Sequence, residues 1–326
     1  MAKNIRVVRT ATFVVPASSF GIVLGMAGLS NCWRVAQLYW PIYSWIDDVL
    51  FALTSVVWAL LVVGFFYKWF AHKSLAIAEV EHPVQCCFIG LLPVSTLLVA
   101  TWFFEWYPVV GTSLIFLCAF GQLGFSVTRF GGMLRGGRKS NDITPVMYLP
   151  SVAGNFVSAI ALNAIGSEEL AKLFFGAGFF SWMALESVIL QRLLSDDALL
   201  LTLRPTLGIQ LAPPVVGGVA YLSVSNGQVD LFFYALMGYG ILQLLFLTRL
   251  IVWFGESGFK PSLWAFSFGI TALALASLRA GSISEPTWFA SAAPFFFLIA
   301  NVAIMMLFFL TVSLLMVGKL FRLEDS

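Results

Sequence analysis

Ten apolar blocks follow one another along the chain, separated by short polar breaks, and each is long enough to cross a bilayer. A membrane-spanning helix needs about 20 predominantly apolar residues. The blocks fall at 12–32, 45–70, 84–104, 109–130, 146–166, 170–194, 205–225, 230–254, 262–281 and 287–318. Composition leaves no soluble alternative. Of 326 residues, 60% are hydrophobic and 10% charged, against about 25% charge in ordinary soluble domains, and mean hydropathy is +0.93. That is too little polar surface to coat a water-soluble globule. Nucleic-acid binders and soluble enzymes are excluded, and a formal charge of +2 marks no basic binding face. The expected fold is an all-α polytopic membrane protein, one domain over residues 1–326.

The basic residues predict orientation, because cytoplasmic loops carry the excess of Lys and Arg. Lys3, Arg6, Arg9, Lys68, Lys73, Arg129, Arg135, Arg138, Lys139, Arg192, Arg204, Arg249, Lys260, Lys319 and Arg322 lie at the N-terminus, the even-to-odd breaks or the C-terminus. Only Arg34, Lys172 and Arg279 of the 18 fall on the other side. Both termini are expected in the cytoplasm, which requires an even number of spans and agrees with ten. Lys3, Arg6 and Arg9 before an apolar stretch imitate a signal peptide. No A-x-A-like site follows, however, and Gly21, Gly25 and Gly28 suit a packed helix, so the block is read as a retained first span.

Odd and even blocks differ in kind. Odd blocks carry Pro16, Pro93, Pro150 and the pair Pro213-Pro214, with many glycines; even blocks carry one proline, Pro294. Proline inside a helix removes a hydrogen bond and kinks it. Lipid cannot satisfy the freed carbonyls, so such helices belong where protein or water surrounds them. The expectation is five helical hairpins, with five kinked inner helices around a central pore and five outer helices facing lipid. The same glycines and prolines also serve close helix packing.

Chemistry-bearing residues are scarce. Cys32, Cys86, Cys87 and Cys118 lie in or beside apolar blocks without CxxC spacing and read as apolar filler, Cys86 and Cys87 pointing to different sides of a helix. His72 and His82 share one hydrophilic break and read as solvated. No His, Asp, Glu or Cys cluster points to an enzyme, a metal or a cofactor. Glu186 is the clearest internal charge, on an even block, where bonding between helices is the ordinary role. The odd blocks hold uncharged polar side chains such as Ser95, Ser151, Asn155, Thr206, Gln210 and Ser267, able to line a wet passage or to bond neighbouring helices. Kinked helices add N–H groups that attract anions where no carboxylate competes. That pattern suits permeation without tight binding. In the ninth block, WAFSFG (Trp264–Gly269), Phe266 and Phe268 diverge by roughly 200° and cannot share one face. By spacing alone both are as readily core aromatics as a pore plug.

FGIVLG (Phe20–Gly25), EHPV (Glu81–Val84), YLPSVAGNFVSA (Tyr148–Ala159), LFFGAGFFSW (Leu173–Trp182), LGIQLAPP (Leu207–Pro214), GYGILQLLFLTRL (Gly238–Leu250) and WAFSFG complete the set of distinctive strings. Together they resemble the bacterial TehA tellurite-resistance proteins, grouped with the plant slow anion channels and the fungal malate transporters. The resemblance implies a homotrimer of ten-helix protomers, each with its own five-helix pore passing chloride and nitrate. It places the gate on Phe268, leaves Phe266 as packing, and sets Gly21, preceded by Phe20, beside the plug. Pore-lining candidates are then Phe20, Gly21, Ser95, Asn155, Pro213 and Gly269. One departure is Glu186-Ser187-Val188, where bacterial members commonly read EPV. The function expected is a gated anion channel of the bacterial inner membrane, its partners small inorganic anions and the lipid bilayer. The alternative is a proton-coupled exporter of tellurite or C4-dicarboxylate anions, which calls for an ionisable group in the pore.

Overall fold

In a computed structural model, residues 14–256, 258–283 and 287–321 are described. Lys3, Arg6, Arg9, Glu285 and Arg322 lie outside them, as does the start of the first apolar block. The α-helices are α1 (Phe20–Ala36), α2 (Trp45–Ala71), α3 (Lys73–Glu81), α4 (Leu91–Trp106), α5 (Pro108–Met133), α6 (Gly154–Ala164), α7 (Glu168–Ser195), α8 (Ala212–Val224), α9 (Leu231–Arg249), α10 (Ile251–Gly255), α11 (Ser267–Ile283) and α12 (Trp288–Met316). No strand occurs among the described residues. Among the described residues, nine helical segments are long and apolar enough to cross a membrane. The first of the ten expected blocks is described as a 3₁₀ turn at Ala17–Ser19, following Pro16, that runs into the 17-residue α1.

The proline-rich odd blocks bend in one consistent way. Each starts as 3₁₀ or π helix and continues as α-helix: Ala17–Ser19 before α1, Gln85–Gly90 before α4, Pro145–Met147 and Leu149–Ala153 before α6, Arg204–Leu211 before α8, and Pro261–Phe266 before α11. Proline at or near the start of each stretch cannot donate its share of an α-helical ladder, so the tighter or wider turn takes over. Four of the five even blocks are long uninterrupted helices, and the eighth breaks at Leu250 between α9 and α10. α2, α5, α7 and α12 run to 27, 26, 28 and 29 residues. Pro294 is the sole proline inside α12.

Contacts arrange these elements as two shells. α1 touches α4, α4 touches α6, α6 touches α8, α8 touches α11 and α11 returns to α1, closing a ring of five. Each ring member also packs on the helix that follows it in the chain, giving the five hairpins α1–α2, α4–α5, α6–α7, α8–α9 and α11–α12. The most apolar stretch of each outer helix is only 22–33% buried, against 56–94% for the four inner segments long enough to compare. An outer face of Leu, Val and Phe left bare by the protein is the face expected of a lipid-exposed wall.

One 3₁₀/π break shows how its polar groups are satisfied. Gln122, on α5, donates from Nε2 to the carbonyls of Pro150 at 3.1 Å and Leu149 at 3.4 Å. Gly154 makes this approach possible, because a Cβ there would lie 2.1 Å from Gln122 Nε2. The outer helix thus supplies the donor that lipid lacks.

The break at 71–83, expected as a loop, contains α3, whose Glu79 anchors the start of the first segment. Glu79 pairs with the buried Lys68 at the end of α2 and accepts the Ala17 N–H at 2.8 Å. Lys68 Nζ also donates to Val15 O at 2.9 Å. His82 is exposed and accepts the Val84 and Gln85 N–H groups on Nδ1, each at 3.1 Å, capping the next 3₁₀ stretch. That stretch also corrects the cysteine reading: Cys86 and Cys87 bring their sulfurs to 4.0 Å. This end of the bundle, carrying Lys68, Arg138, Arg204 and Lys260, is called the basic end below, and its opposite the far end.

Candidate axial passage

All five inner segments run in the same direction, so their α-helices begin together near one depth. There they surround a cavity of about 130 Å³ that reaches toward the basic end. Its wall draws on every inner segment, with Gly21, Leu91, Phe156, Pro213 and Phe268 among the contributors. Ser18, Gln85, Tyr148, Thr202, Thr206 and Ser262 contribute its polar part, and no Asp or Glu among the described residues lines it. Five helix N-terminal ends, each carrying partial positive charge, therefore face a space free of carboxylates. Such a space favours anions over cations.

A second cavity, of about 300 Å³, opens toward the far end and is again lined by all five inner segments. Its carboxylate is Glu105, paired with Arg34. Arg34 is held on its other side by Asp47 at 3.0 Å. The two cavities share two side chains, Val216 of α8 and Phe268 of α11. Phe268 is half-buried, as a ring standing in a partition between two spaces must be. Phe266 points elsewhere: its ring meets Phe254 edge-on at 5.2 Å and lies over Gly208.

The candidate residues separate by rotation about their helix axes. Gly21, Pro213 and Phe268 come together on the wall of the basic-end cavity. Phe20, one position and about 100° from Gly21, is fully buried with its ring against Phe65 of α2 at 5.9 Å. Ser95 donates to Leu92 O, Asn155 donates to Ser151 O at 2.6 Å, and a Cβ on Gly269 would meet Leu211 Cγ at 2.8 Å. These four are not among the side chains lining either cavity. Sequence reasoning did not single out Val216, because a valine after a proline pair carries no mark of its own.

Glu186 lies outside both cavities, in the seam between shells. It accepts from Tyr148 Oη at 2.6 Å, Trp182 Nε1 at 2.7 Å, Tyr239 Oη at 2.5 Å and Gln243 Nε2 at 3.3 Å. Tyr148 is itself part of the cavity wall, so Glu186 positions the wall from behind.

Fold and passage together define a polytopic helical membrane protein with an axial pathway through a ring of five broken helices. A family model described as "SLAC1: Voltage-dependent anion channel" matches residues 14–312, and the chain belongs to that family. It is 38% identical over 315 residues to the tellurite resistance protein TehA homolog of Haemophilus influenzae, covering 96% of this chain and 94% of that one. It is 26% identical over 283 residues to the guard cell S-type anion channel SLAC1 of Arabidopsis thaliana, covering 81% of this chain and 49% of that one. An uncharacterized transporter of Methanocaldococcus jannaschii is 27% identical over 288 residues. The protein is thus a member of an anion channel and transporter family and a homologue of a tellurite-resistance protein.

Proposed function

We propose that the protein is a gated channel for small monovalent anions such as chloride and nitrate, with Phe268 as the gate. The observation that carries this reading is the position of Phe268 in the wall of both axial cavities. An aromatic ring at a constriction excludes ions by sterics and by drying the gap. The lining supplies selectivity without a tight site: hydroxyls and amides, converging helix N-termini, and no carboxylate in the basic-end cavity. The basic end is cytoplasmic in this reading, by the excess of Lys and Arg there. The working form is a homotrimer in the bacterial inner membrane, each protomer holding its own pore, as in the resemblance described above.

A second reading, a proton-coupled exporter of tellurite or C4-dicarboxylate anions, is favoured by the name of the Haemophilus relative. It needs a carboxylate or histidine that changes protonation in the pathway, and Glu105, already paired with Arg34, is the sole acidic side chain among the described residues in either wall. Planar-bilayer recording in chloride and in nitrate separates the readings. Phe268→Ala is expected to raise anion conductance by at least about tenfold over wild type, as removal of a steric and dewetting barrier requires. Unchanged conductance in folded, inserted protein would overturn the gate. Flux that saturates at low anion concentration and carries protons would favour the exporter.

A further inference from the structure

We infer that Arg279 forms an anion-capture site at the far mouth of the passage, resting on the channel reading above. Arg279 lies eleven residues beyond Phe268 on α11, about 16 Å along the helix. It lines the far-end cavity that reaches Phe268. It also lines a more open depression at the surface, together with Asn163, Ser223 and Asn226. An ion moving between bulk solvent and the gate therefore passes its guanidinium.

Charge pairing sets this arginine apart. Arg34 in the same cavity is clamped between Asp47 and Glu105, and Lys172, the other basic residue of this end, sits 3.5 Å from Glu168. Arg279 has no carboxylate partner among the described residues; its hydrogen bond is from Nη1 to Ser223 Oγ at 3.1 Å. A guanidinium carries five N–H donors, and none of its nitrogens is both buried from the cavity and unpartnered. The remaining donors therefore face the open space. A fixed positive charge with free donors, in a protein-walled cleft, concentrates counter-ions and raises their rate of entry. The ligand class is a small monovalent anion, held weakly. A planar oxyanion such as nitrate can take two parallel N–H bonds from the guanidinium edge, which a halide cannot.

The test uses the conducting Phe268→Ala protein as parent. At about 0.02 M salt, where screening extends over roughly 20 Å, Arg279→Gln added to this parent is expected to lower chloride conductance at least about threefold. The difference should vanish near 1 M, where screening is complete within about 3 Å. Arg279→Lys, which keeps the charge, should stay near the parent. Ser223→Asp, which places a carboxylate beside an intact Arg279, should reproduce the loss, and it stands in if Arg279→Gln fails to fold. Equal conductance and equal salt dependence in parent and neutralised variants would overturn the site. Independently of conduction, wild-type crystals grown in bromide should show an anomalous peak within hydrogen-bond reach of the guanidinium. A bare, ordered Arg279 overturns the proposal. A parent without anion current sinks the channel reading instead, and a bromide peak in that case still upholds the site.

Discussion

The inner and outer shells are built from the same apolar alphabet and solve opposite problems. Outer helices are continuous over most of their length, Pro294 in α12 and the break after α9 apart, so most of their backbone groups are satisfied within the helix and their sides can meet lipid. Inner segments give up that self-sufficiency at five places, where 3₁₀ or π turns hand over to α-helix. The freed groups then need help from neighbours, such as Gln122 reaching from α5 to the carbonyls of Leu149 and Pro150. The return is a ring that bends around open space and aims its helix N-termini into it. A broken helix is thus tolerable only inside a complete one, and the outer shell is what makes the passage possible.

The sharpest attack on this contrast is to crowd the inner ring. A Cβ on Gly28 would fall 2.1 Å from Thr271 Oγ1 and 2.8 Å from Thr271 Cβ, so α1 and α11 approach no further than glycine permits. Gly28→Val is expected to cost about 3 kcal/mol or more, at the upper end for overpacking. The readout is loss of monodisperse protein in detergent or a large fall in unfolding midpoint. Normal stability would mean that the ring is looser than its contacts indicate.

Cutting the tie between shells comes next. Glu186→Ala leaves the hydroxyls of Tyr148 and Tyr239, the Trp182 indole and the Gln243 amide without their shared acceptor. Unpaired buried groups of this kind cost about 1–3 kcal/mol, and about 3 kcal/mol is expected here. Glu186→Gln retains an acceptor oxygen and should lose roughly 1 kcal/mol. Thermal unfolding checks both. In the Phe268→Ala background, ion selectivity should survive Glu186→Gln, because the carboxylate lies behind the wall and not in it. A change in selectivity would move Glu186 into the pathway.

Much of this architecture is legible in the chain, and what is hidden shares one cause. Block positions follow from local hydrophobicity, and the helix ends agree with them to within a few residues in most cases. The inner and outer assignment follows from proline and glycine, whose backbone effects are also local. Rotation about a helix axis is different. Nothing about Phe20 or Ser95 says which side it presents, and the pathway takes Gly21 while its neighbour packs on Phe65. Three of the four partners of Glu186 likewise lie tens of positions away in the chain. The divergence of Phe266 and Phe268 was derivable, because 200° admits only one of them to a common face. Choosing between the two took the motif.

The smallest expected effect tests the outer shell. Gly121 of α5 is exposed, and a Cβ there would meet nothing within 4 Å. On a lipid-facing helix, Gly121→Ala should stabilise the protein slightly, by about 0.5 kcal/mol, since alanine restricts the unfolded chain and favours helix. The inner-ring substitution at Gly28 and this one then differ in sign as well as size. A destabilising Gly121→Ala, seen as a lower unfolding midpoint, has one physical meaning: something other than lipid lies against that face. If the loss appears in the proposed trimer and disappears in an isolated protomer, the occupant is a second copy, and this stretch of α5 belongs to the contact between protomers. If stability rises in both, α5 meets lipid there, and any contact within the proposed trimer falls on another outer helix.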